Sequence, residues 1–340
     1  MKPTDFAIHL SRYLGVYLPG QSGCSVNTVR SYRDTFSLFL RFCQKERKLN
    51  PQKLTLEQVT RRLVEDFLQW LETERGCSAG TRNNRLAAIH AFYKYLQFEA
   101  PHLLAHCQEI LSIPNKRAEK KVVSYLTLDE IQAVLALPDP QTAAGCRDLA
   151  MLALLYDTGA RVQELADLKF EDVRLSSPTV IRLTGKGGKA RFVPIMAPTE
   201  KLLRAYLEEC DRRFSMHGGA PLFRNRDGKK LTRAGIAYIL NKYVKSAQQM
   251  GSIPAQMAVS PHVLRHSKAM HLLQSGVNLI YIRDLLGHAD VSTTEIYARA
   301  DEHFKRQALT MAYPSPTPEP ETPAWQKDSD LLNWLKGLGK

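Results

Sequence analysis

Apolar residues recur at helical spacing over nearly the whole of this chain, and that periodicity constrains the fold more than any single motif. It is visible at 6 to 18; at 27 to 44 through Val29, Tyr32, Phe36, Phe39, Leu40 and Phe42; at 57 to 74 through Val59, Leu63, Phe67, Leu68 and Leu71; and at 79 to 98 through Leu86, Ile89, Phe92, Tyr93 and Leu96. Spacings of three and four residues place such side chains on one face of a helix. Residues 1 to 113 are therefore predicted to form a small bundle of four or five amphipathic helices, with Ser25 and Ser78 as N-cap residues. The segment 114 to 124, PNKRAEKKVVS, interrupts the pattern: it opens with proline, is polar and basic, and reads as an interdomain linker. A chain of 340 residues is long enough for two domains that each bury a core.

The second domain is predicted from about Tyr125 to 312. Thr127-x-x-Glu130 is a capping box that starts a helix to about Leu137, and another helix covers 144 to 156. Asp157-Thr158-Gly159-Ala160-Arg161 breaks and restarts the chain, so Arg161 falls in the first turns of a helix ending near Leu168, with Glu164 one turn on and facing the same way. Strands are expected at 179 to 184 and 190 to 195 around Gly185-Lys186-Gly187-Gly188-Lys189, a hairpin with a basic, glycine-rich tip. This is not a P-loop, because the spacing to a second Gly-Lys-Ser/Thr is missing. Helices return at 199 to 214 and 232 to 250. The fold class that results is mainly α with a small β-hairpin: a helical domain followed by a mixed α+β domain.

The motifs that carry chemistry gather between Ser260 and Asp301: His262-Val263-Leu264-Arg265, then Gly287-His288, then Tyr297. Ser260-Pro261 looks like an N-cap and a first helical residue, since Pro lacks the N–H that would be orphaned there. His262 and Arg265 then lie three residues apart on one face, beside the positive end of the helix dipole, a good place for an anion. The helix is predicted to run to about Gln274 with Gly276 as its stop; a second runs from Leu279 to Leu286 and ends at Gly287, leaving His288 on a turn. Ser292-Thr293-Thr294-Glu295 is a further capping-box pattern, placing Tyr297 in the second turn of a third helix.

Composition narrows the partner. The formal net charge is +13, which favours a polyanion, because each Lys or Arg placed on a phosphate releases condensed counterions. An anionic membrane surface has no support: no apolar run approaches the roughly 18 residues a span needs, and no signal peptide opens the sequence, so a cytoplasmic, nucleoid-associated protein is expected. The six cysteines form no C-x-x-C pair and suggest neither zinc nor a disulfide framework. His262 and His266 have the i, i+4 spacing of a zinc helix, but Val263 stands where a metalloprotease carries its Glu, and no metal site is predicted.

The motifs HVLRH at 262 to 266, LLGH nine residues before Tyr297, and TGAR-x-x-E-L at 158 to 165 closely resemble those of the tyrosine recombinase (phage integrase) family, Xer-type recombinases and mobile-element integrases in particular. The likeness is strong over 125 to 310 and by pattern only before that. It implies a two-domain architecture, with a helical core-binding domain that clamps DNA and a catalytic domain that cleaves and rejoins strands through a 3′-phosphotyrosyl intermediate. Carried onto this sequence, the constellation is Arg161, Lys186, His262, Arg265, His288 and Tyr297. Tyr297 is the nucleophile, His262 its base, Lys186 the acid with Lys189 as second choice, and the arginines and His288 grip the phosphate. Glu164 would hold the Arg161 guanidinium so that its fork meets a phosphate squarely. A phenol has a pKa of about 10, so the cationic pocket is expected to favour the phenolate.

Candidate DNA contacts are Arg30, Arg33, Arg82 and Arg85 in the helical domain, and Lys189 and Arg191 on the hairpin. Because the ester conserves the energy of the broken bond, no cofactor is expected. The implied partners are double-stranded DNA carrying specific sites and, on synapsed DNA, further copies of the chain in a homotetramer or a second recombinase. Two other classes share parts of this picture, a DNA-binding architectural protein that keeps the fold without the chemistry and a type IB topoisomerase. Residues 313 to 340 differ in kind: PSPTPEPETP is an extended, acidic linker, and Trp325 and Asp330 to Lys336 form either a short partner-docking helix or a frayed tail.

Overall fold

The computed structural model describes residues 2–117, 123–213, 218–288, 294, 295, 297 and 335–338, except the side chains of 186, 212 and 213. The chain divides into two compact units, Met1–Lys121 and Val122–Lys340.

The first unit is helical. Helix α1, Asp5–Arg12, starts at Thr4, whose hydroxyl accepts from the Ala7 N–H at 3.3 Å. It continues into a π-helical stretch, Tyr13–Gln21, where the sequence suggested one helix over 6 to 18. Pro19 lies inside that stretch and has no N–H to give an α-type bond, and the wider winding accommodates it. Ser25 and Ser78 cap α2, Val26–Glu46, and α4, Ala79–Glu99, as predicted. Helix α3, Arg61–Thr73, begins later than its apolar pattern, because Thr60 Oγ1 accepts from the Leu63 N–H and sets the start. Helix α5 spans Leu104–Leu111.

The centre of this bundle is α4, which buries Leu86, Ile89, Phe92, Tyr93 and Leu96. Phe92 presents its ring to the edges of Phe6 at 5.9 Å and Phe36 at 5.2 Å; such pairs add about 1 kcal/mol each beyond area burial. The first residues of the expected linker are tied to α4. Arg82 Nη1 donates to the Pro114 carbonyl at 3.0 Å, and Asn83 exchanges hydrogen bonds with both backbone groups of Lys116.

In the second unit, α6, Leu128–Leu135, opens on the predicted Thr127/Glu130 capping box. Helix α7, Ala143–Thr158, is apolar on all sides, burying Met151, Leu152, Leu154 and Leu155, which marks it as the helix the others pack around. It is followed by α8, Val162–Asp167, and an antiparallel sheet of β1, Val173–Arg174, β2, Val180–Thr184, and β3, Ala190–Pro194, in that order. The short strand β1 had no signal in the sequence. Helices α9, Ala197–Arg213, and α10, Arg233–Gln249, complete the core with α11, Pro261–Gln274, and α12, Leu279–Leu286. Ile181 and Leu183 of β2 point inward, in register with Val193 and Arg191 of β3.

Residues 294, 295 and 297 are helical, but the rest of the third helix predicted after Ser292 lies outside the described residues, as do the proline-rich segment, Trp325 and most of the tail. No helix among the described residues is long and apolar enough to cross a membrane. The six cysteines are free thiols.

Candidate active site

Three chain breaks build the site. The first is at the end of α7, where Gly159 is left-handed at φ 56° and a Cβ there would lie 2.7 Å from the Leu286 Cδ2 atom. Glycine is required twice over, by conformation and by the closeness of α12. The second is the start of α11. Ser260 occupies the N-cap position as predicted, but its side chain makes no capping bond, and its carbonyl instead accepts from Val263 and Leu264. The third is Gly287, left-handed at φ 65°, which ends α12 and turns the chain into His288.

Arg265 is 1% exposed, an unusual position for a guanidinium. It is fixed by donating through Nη1 to the Gly159 carbonyl and through Nη2 to the Leu286 carbonyl, both at 2.7 Å, so the two helix ends position it. Among the described residues its Nε is buried without a hydrogen-bond partner. Burial, then the nearby Arg161 charge, lower its pKa to about 10, which still leaves it charged at neutral pH. A buried cation with unused N–H groups and neutral partners is prepared for an anion.

Arg161 stands just before α8, at its N-cap, rather than within its first turns. Its Nη1 donates to Glu164 at 2.8 Å and its Nη2 to the Gly287 carbonyl at 3.1 Å, while more than a third of the side chain stays accessible. Glu164 also receives both terminal nitrogens of Arg191, at 3.1 and 2.7 Å, and Arg191 Nε donates to the Leu285 carbonyl at 2.7 Å. Burial alone would raise the Glu164 pKa, but the hydrogen bonds from Arg191 and Arg161 outweigh it and hold the carboxyl below its usual range. One carboxylate thus anchors two arginines. The phosphate contact expected of Arg191 gives way to a bracing role, since its guanidinium faces inward onto Glu164 and α12.

His288 is half-buried, with Nδ1 2.9 Å from Thr294 Oγ1. Burial and then the Arg265 and Arg161 charges lower its pKa to about 4, so it is neutral at pH 7. Tyr297 is 1% exposed and packs with Met270, Leu273, Ile282 and Leu286 of α11 and α12. Its ring lies nearly parallel to that of His288, with 6.4 Å between centroids. Arg265 and Arg161 pull its pKa down, but burial is the larger effect and the phenol ends above its ordinary value. The expectation of a stabilised phenolate is corrected accordingly: Tyr297 keeps its proton at neutral pH.

The hydrogen-bond partner of the phenol is an unexpected residue. Tyr297 Oη lies 2.8 Å from His266 Nδ1, whereas His262, the base implied by the family pattern, is exposed at the start of α11. His266 was passed over in the sequence except as a zinc-spacing partner; its position one helical turn after His262 was the available signal.

Lys186 sits in a turn of 3-10 helix, Lys186–Gly188, at the hairpin tip, and its side chain is outside those described. Lys189 is exposed beside it and, with Arg161, Arg191, Arg283, Gly287 and His288, lines an open cleft of about 540 Å³. Among the described residues no group of His, Cys, Asp or Glu is arranged to hold a metal ion.

The four arginines proposed from the helical unit separate into two kinds. Arg30 and Arg33 are exposed on α2, with Arg33 paired to Asp34 at 2.8 Å. Arg82 and Arg85 are partly buried and donate within the unit; Arg85 Nη1 reaches Thr35 Oγ1 at 3.0 Å and the Ser31 carbonyl at 3.3 Å, joining α4 to α2.

Two arginines, two neutral imidazoles and a buried phenol within reach of one another suit a single class of chemistry, transfer of a phosphodiester to tyrosine. Residues 124–303 match the phage integrase family, and residues 11–99 match the phage integrase N-terminal SAM-like domain. The chain belongs to the phage integrase family, the tyrosine-type site-specific DNA recombinases. It is 37% identical to a protein of Sinorhizobium fredii named as an integrase/recombinase, over 94% of each chain. It is 30% identical to the tyrosine recombinase XerC of Bacillus pumilus, over 89% of this chain and 94% of that one. Among solved structures, the fold is similar to the XerH recombinase bound to its difH substrate, with TM-score 0.66 and 23% identity over 85% of this chain and 81% of that one. The Tn1549 transposon integrase bound to transposon-end DNA has the same fold, with TM-score 0.68 and 16% identity over 89% and 98%.

Proposed function

We propose that this protein cleaves and rejoins double-stranded DNA at specific recombination sites, with Tyr297 attacking the scissile phosphorus to give a 3′-phosphotyrosyl ester and a free 5′-hydroxyl. The observation that carries this reading is that Arg265, buried and held by two helix-end carbonyls, and Arg161, held by Glu164, both lie close enough to the buried Tyr297 phenol for their charges to act on it. In such a reaction little covalent chemistry falls to the protein beyond the nucleophile. Catalysis is positioning plus stabilisation of charge that grows on the non-bridging oxygens.

Arg161 and Arg265 take those oxygens, and His288, neutral at pH 7, offers a hydrogen bond to one of them. His262, exposed at the positive end of α11, borders the same phosphate. Lys186 protonates the leaving 5′-oxygen, with Lys189 as the alternative acid. The new ester conserves the bond energy, so neither a nucleotide nor a metal is needed for exchange, and a second 5′-hydroxyl reverses the step. Residues 1–113 serve as the DNA-clamping core-binding domain, 114–124 as the linker and 125–312 as the catalytic domain, with Arg30, Arg33 and Lys189 as phosphate contacts. A homotetramer on two synapsed sites, or a mixed assembly with a second recombinase, is the working form. Its place is the cytoplasm, at the nucleoid, where its substrate lies.

The test is incubation, without metal or nucleotide, with nicked duplexes taken from the DNA beside the protein's own gene. A denaturant-stable adduct mapping to Tyr297 is expected, and Tyr297→Phe should bind the same duplexes within a few-fold but form none. An adduct that survives this substitution removes the nucleophile assignment. Products that change only linking number would mark a type IB topoisomerase, and specific binding without an adduct would favour the architectural reading.

A further inference from the structure

The tyrosine's own partner in the structure is His266, and its geometry separates two roles that the motif alone assigns to one histidine. His266 Nδ1 lies 2.8 Å from Tyr297 Oη, with ring centroids 5.4 Å apart and planes inclined by 62°. That is a short hydrogen bond between a buried phenol and a half-buried imidazole. His262 sits one turn earlier on the same helix, its ring edge-on to His266 at 4.4 Å, but it faces outward, and among the described residues it makes no contact with the phenol.

The charges around His266 determine what this bond can be. Facing it are Arg265 and His262 from α11 and Tyr297 from the following helical residues, with His288 on the far side of the phenol ring. Burial first, then His262 and Arg265, bring its pKa to about 4. It is therefore neutral at pH 7, and since Tyr297 retains its proton, the phenol donates and Nδ1 accepts. The other nitrogen, Nε2, carries the ring proton. This is the tautomer a general base must have.

We propose that His266, and not His262, is the proton acceptor for the tyrosine nucleophile, leaving His262 to the phosphate. The step balances. As the Oη–P bond forms, the phenol proton passes to His266 Nδ1. The P–O5′ bond breaks and the leaving oxygen takes a proton from the lysine acid. In rejoining, the 5′-hydroxyl returns its proton to the lysine as it attacks the phosphotyrosine, and His266 returns its proton to Oη as the Oη–P bond breaks. A scissile phosphate brings negative charge to the site at the moment the proton must be taken, and so strengthens a base that burial and the neighbouring cations keep unprotonated. The proposal rests on the recombinase reading above.

The test uses the full chain and a pool of nicked duplexes with a randomised core, from which wild-type adducts are recovered and sequenced; the recovered sequence is then resynthesised with either oxygen or sulfur at the bridging 5′ position. Sulfur leaves without an acid. Lys186→Ala, or Lys189→Ala if that residue is the acid, should be slow on oxygen and recover on sulfur. His266→Asn should be at least about 100-fold slow on both, the scale of a lost general base. Asn can offer an oxygen close to where Nδ1 stood, so it keeps the hydrogen bond and a similar volume but cannot take the proton. The low-pH limb of the wild-type single-turnover profile should vanish in this variant, with the rate rising only as hydroxide ionises the phenol.

A His266→Asn protein that forms adduct at near the wild-type rate removes the proposal while leaving the reaction intact, as does a pH limb that disappears in His262→Asn instead. Absence of any wild-type adduct across the pool removes the reaction itself and the proposal with it. A fold-level defect is recognised by the unfolding temperature of His266→Asn, and the tautomer is read independently of DNA: long-range nitrogen–proton NMR of the wild-type chain should show Nδ1 of His266 without a proton. A protonated Nδ1 there overturns the assignment.

Discussion

At the residue scale the site depends on Glu164 more than its motif position suggests. Its carboxylate is almost fully buried and receives the Arg161 backbone N–H, the Arg161 guanidinium and both ends of Arg191. Glu164→Gln keeps the shape but removes the charge that offsets two guanidinium groups. Breaking a buried ion pair in this way destabilises by about 3 kcal/mol, and the loosened Arg161 should lower single-turnover cleavage at least tenfold. Thermal unfolding and adduct kinetics on the same preparations measure both. The pH dependence has a definite sign. The folded pKa of Glu164 lies below its unfolded value, so its stabilisation is full above the ordinary carboxylate range and is lost as pH falls through the folded pKa. The stability gap between wild type and Glu164→Gln should therefore be widest near neutrality and close in acid; a gap that widens below the carboxylate range would show that the charge is not what Glu164 supplies. At this scale the sequence was legible where chemistry is written locally. Arg161 with Glu164 at i+3 was readable as an anchored pair. Arg191 and His266 were not, because their partners, Glu164 and Tyr297, come from other elements and no local spacing brings them together. The Tyr297 pKa was misjudged for a related reason: the arginines were visible in the motifs, but the burial that outweighs them is a property of the packed α11–α12 cluster.

At the scale of elements, the helix ends do the positioning. The carbonyls at the ends of α7 and α12 accept from Arg265, and the Gly287 carbonyl accepts from Arg161. Most of these ends could be foreseen, since Gly159, Gly276 and Gly287 were legible as stops and Thr127, Ser25 and Ser78 as starts. The misses have physical causes. Thr60 out-competed the apolar pattern before α3, Pro19 widened the first helix, and Ser260 sits at a cap position without making the side-chain bond. Gly287 carries a sharper consequence. Its φ of 65° already disfavours a side chain, and a Cβ would stand 2.9 Å from Arg191 Nη1 and 3.2 Å from its Cζ. Gly287→Ala should destabilise the protein by about 1 to 2 kcal/mol through backbone strain. It should also displace Arg191 from Glu164 and so slow cleavage beyond what the stability loss explains. The double variant Gly287→Ala/Arg191→Ala separates the two effects. If displacement of the guanidinium is the cause, adding Gly287→Ala to Arg191→Ala should slow cleavage little further; fully additive losses would place the defect elsewhere.

At the scale of the whole molecule, a helical unit, a mixed α+β unit and a net charge of +13 favour a large electrostatic share in the affinity for DNA. The two-domain architecture was legible from the break in periodicity after residue 113. Which arginines face outward was not legible, because Arg82 and Arg85 share the helical pattern of Arg30 and Arg33 yet are drawn into bonds within the bundle. This sorting predicts how binding responds to salt. Each phosphate neutralised contributes about 0.9 to the slope of log affinity against log salt on duplex DNA. Removing one outward-facing contact, Arg30→Ala or Lys189→Ala, should lower the slope by about one and weaken specific and non-specific duplexes alike. Arg85→Ala should leave the slope unchanged and instead reduce the stability of the helical unit, since it donates to Thr35 and Ser31 rather than to solvent. Tyr297→Phe, which changes no charge and removes a hydroxyl bonded to His266, should alter neither slope nor affinity beyond a few-fold. Fluorescence anisotropy on a nicked and a scrambled duplex over a range of salt distinguishes the three. A slope that falls in Arg85→Ala but not in Arg30→Ala would mean that the helical unit turns a different face to the phosphates from the one that α2 exposes.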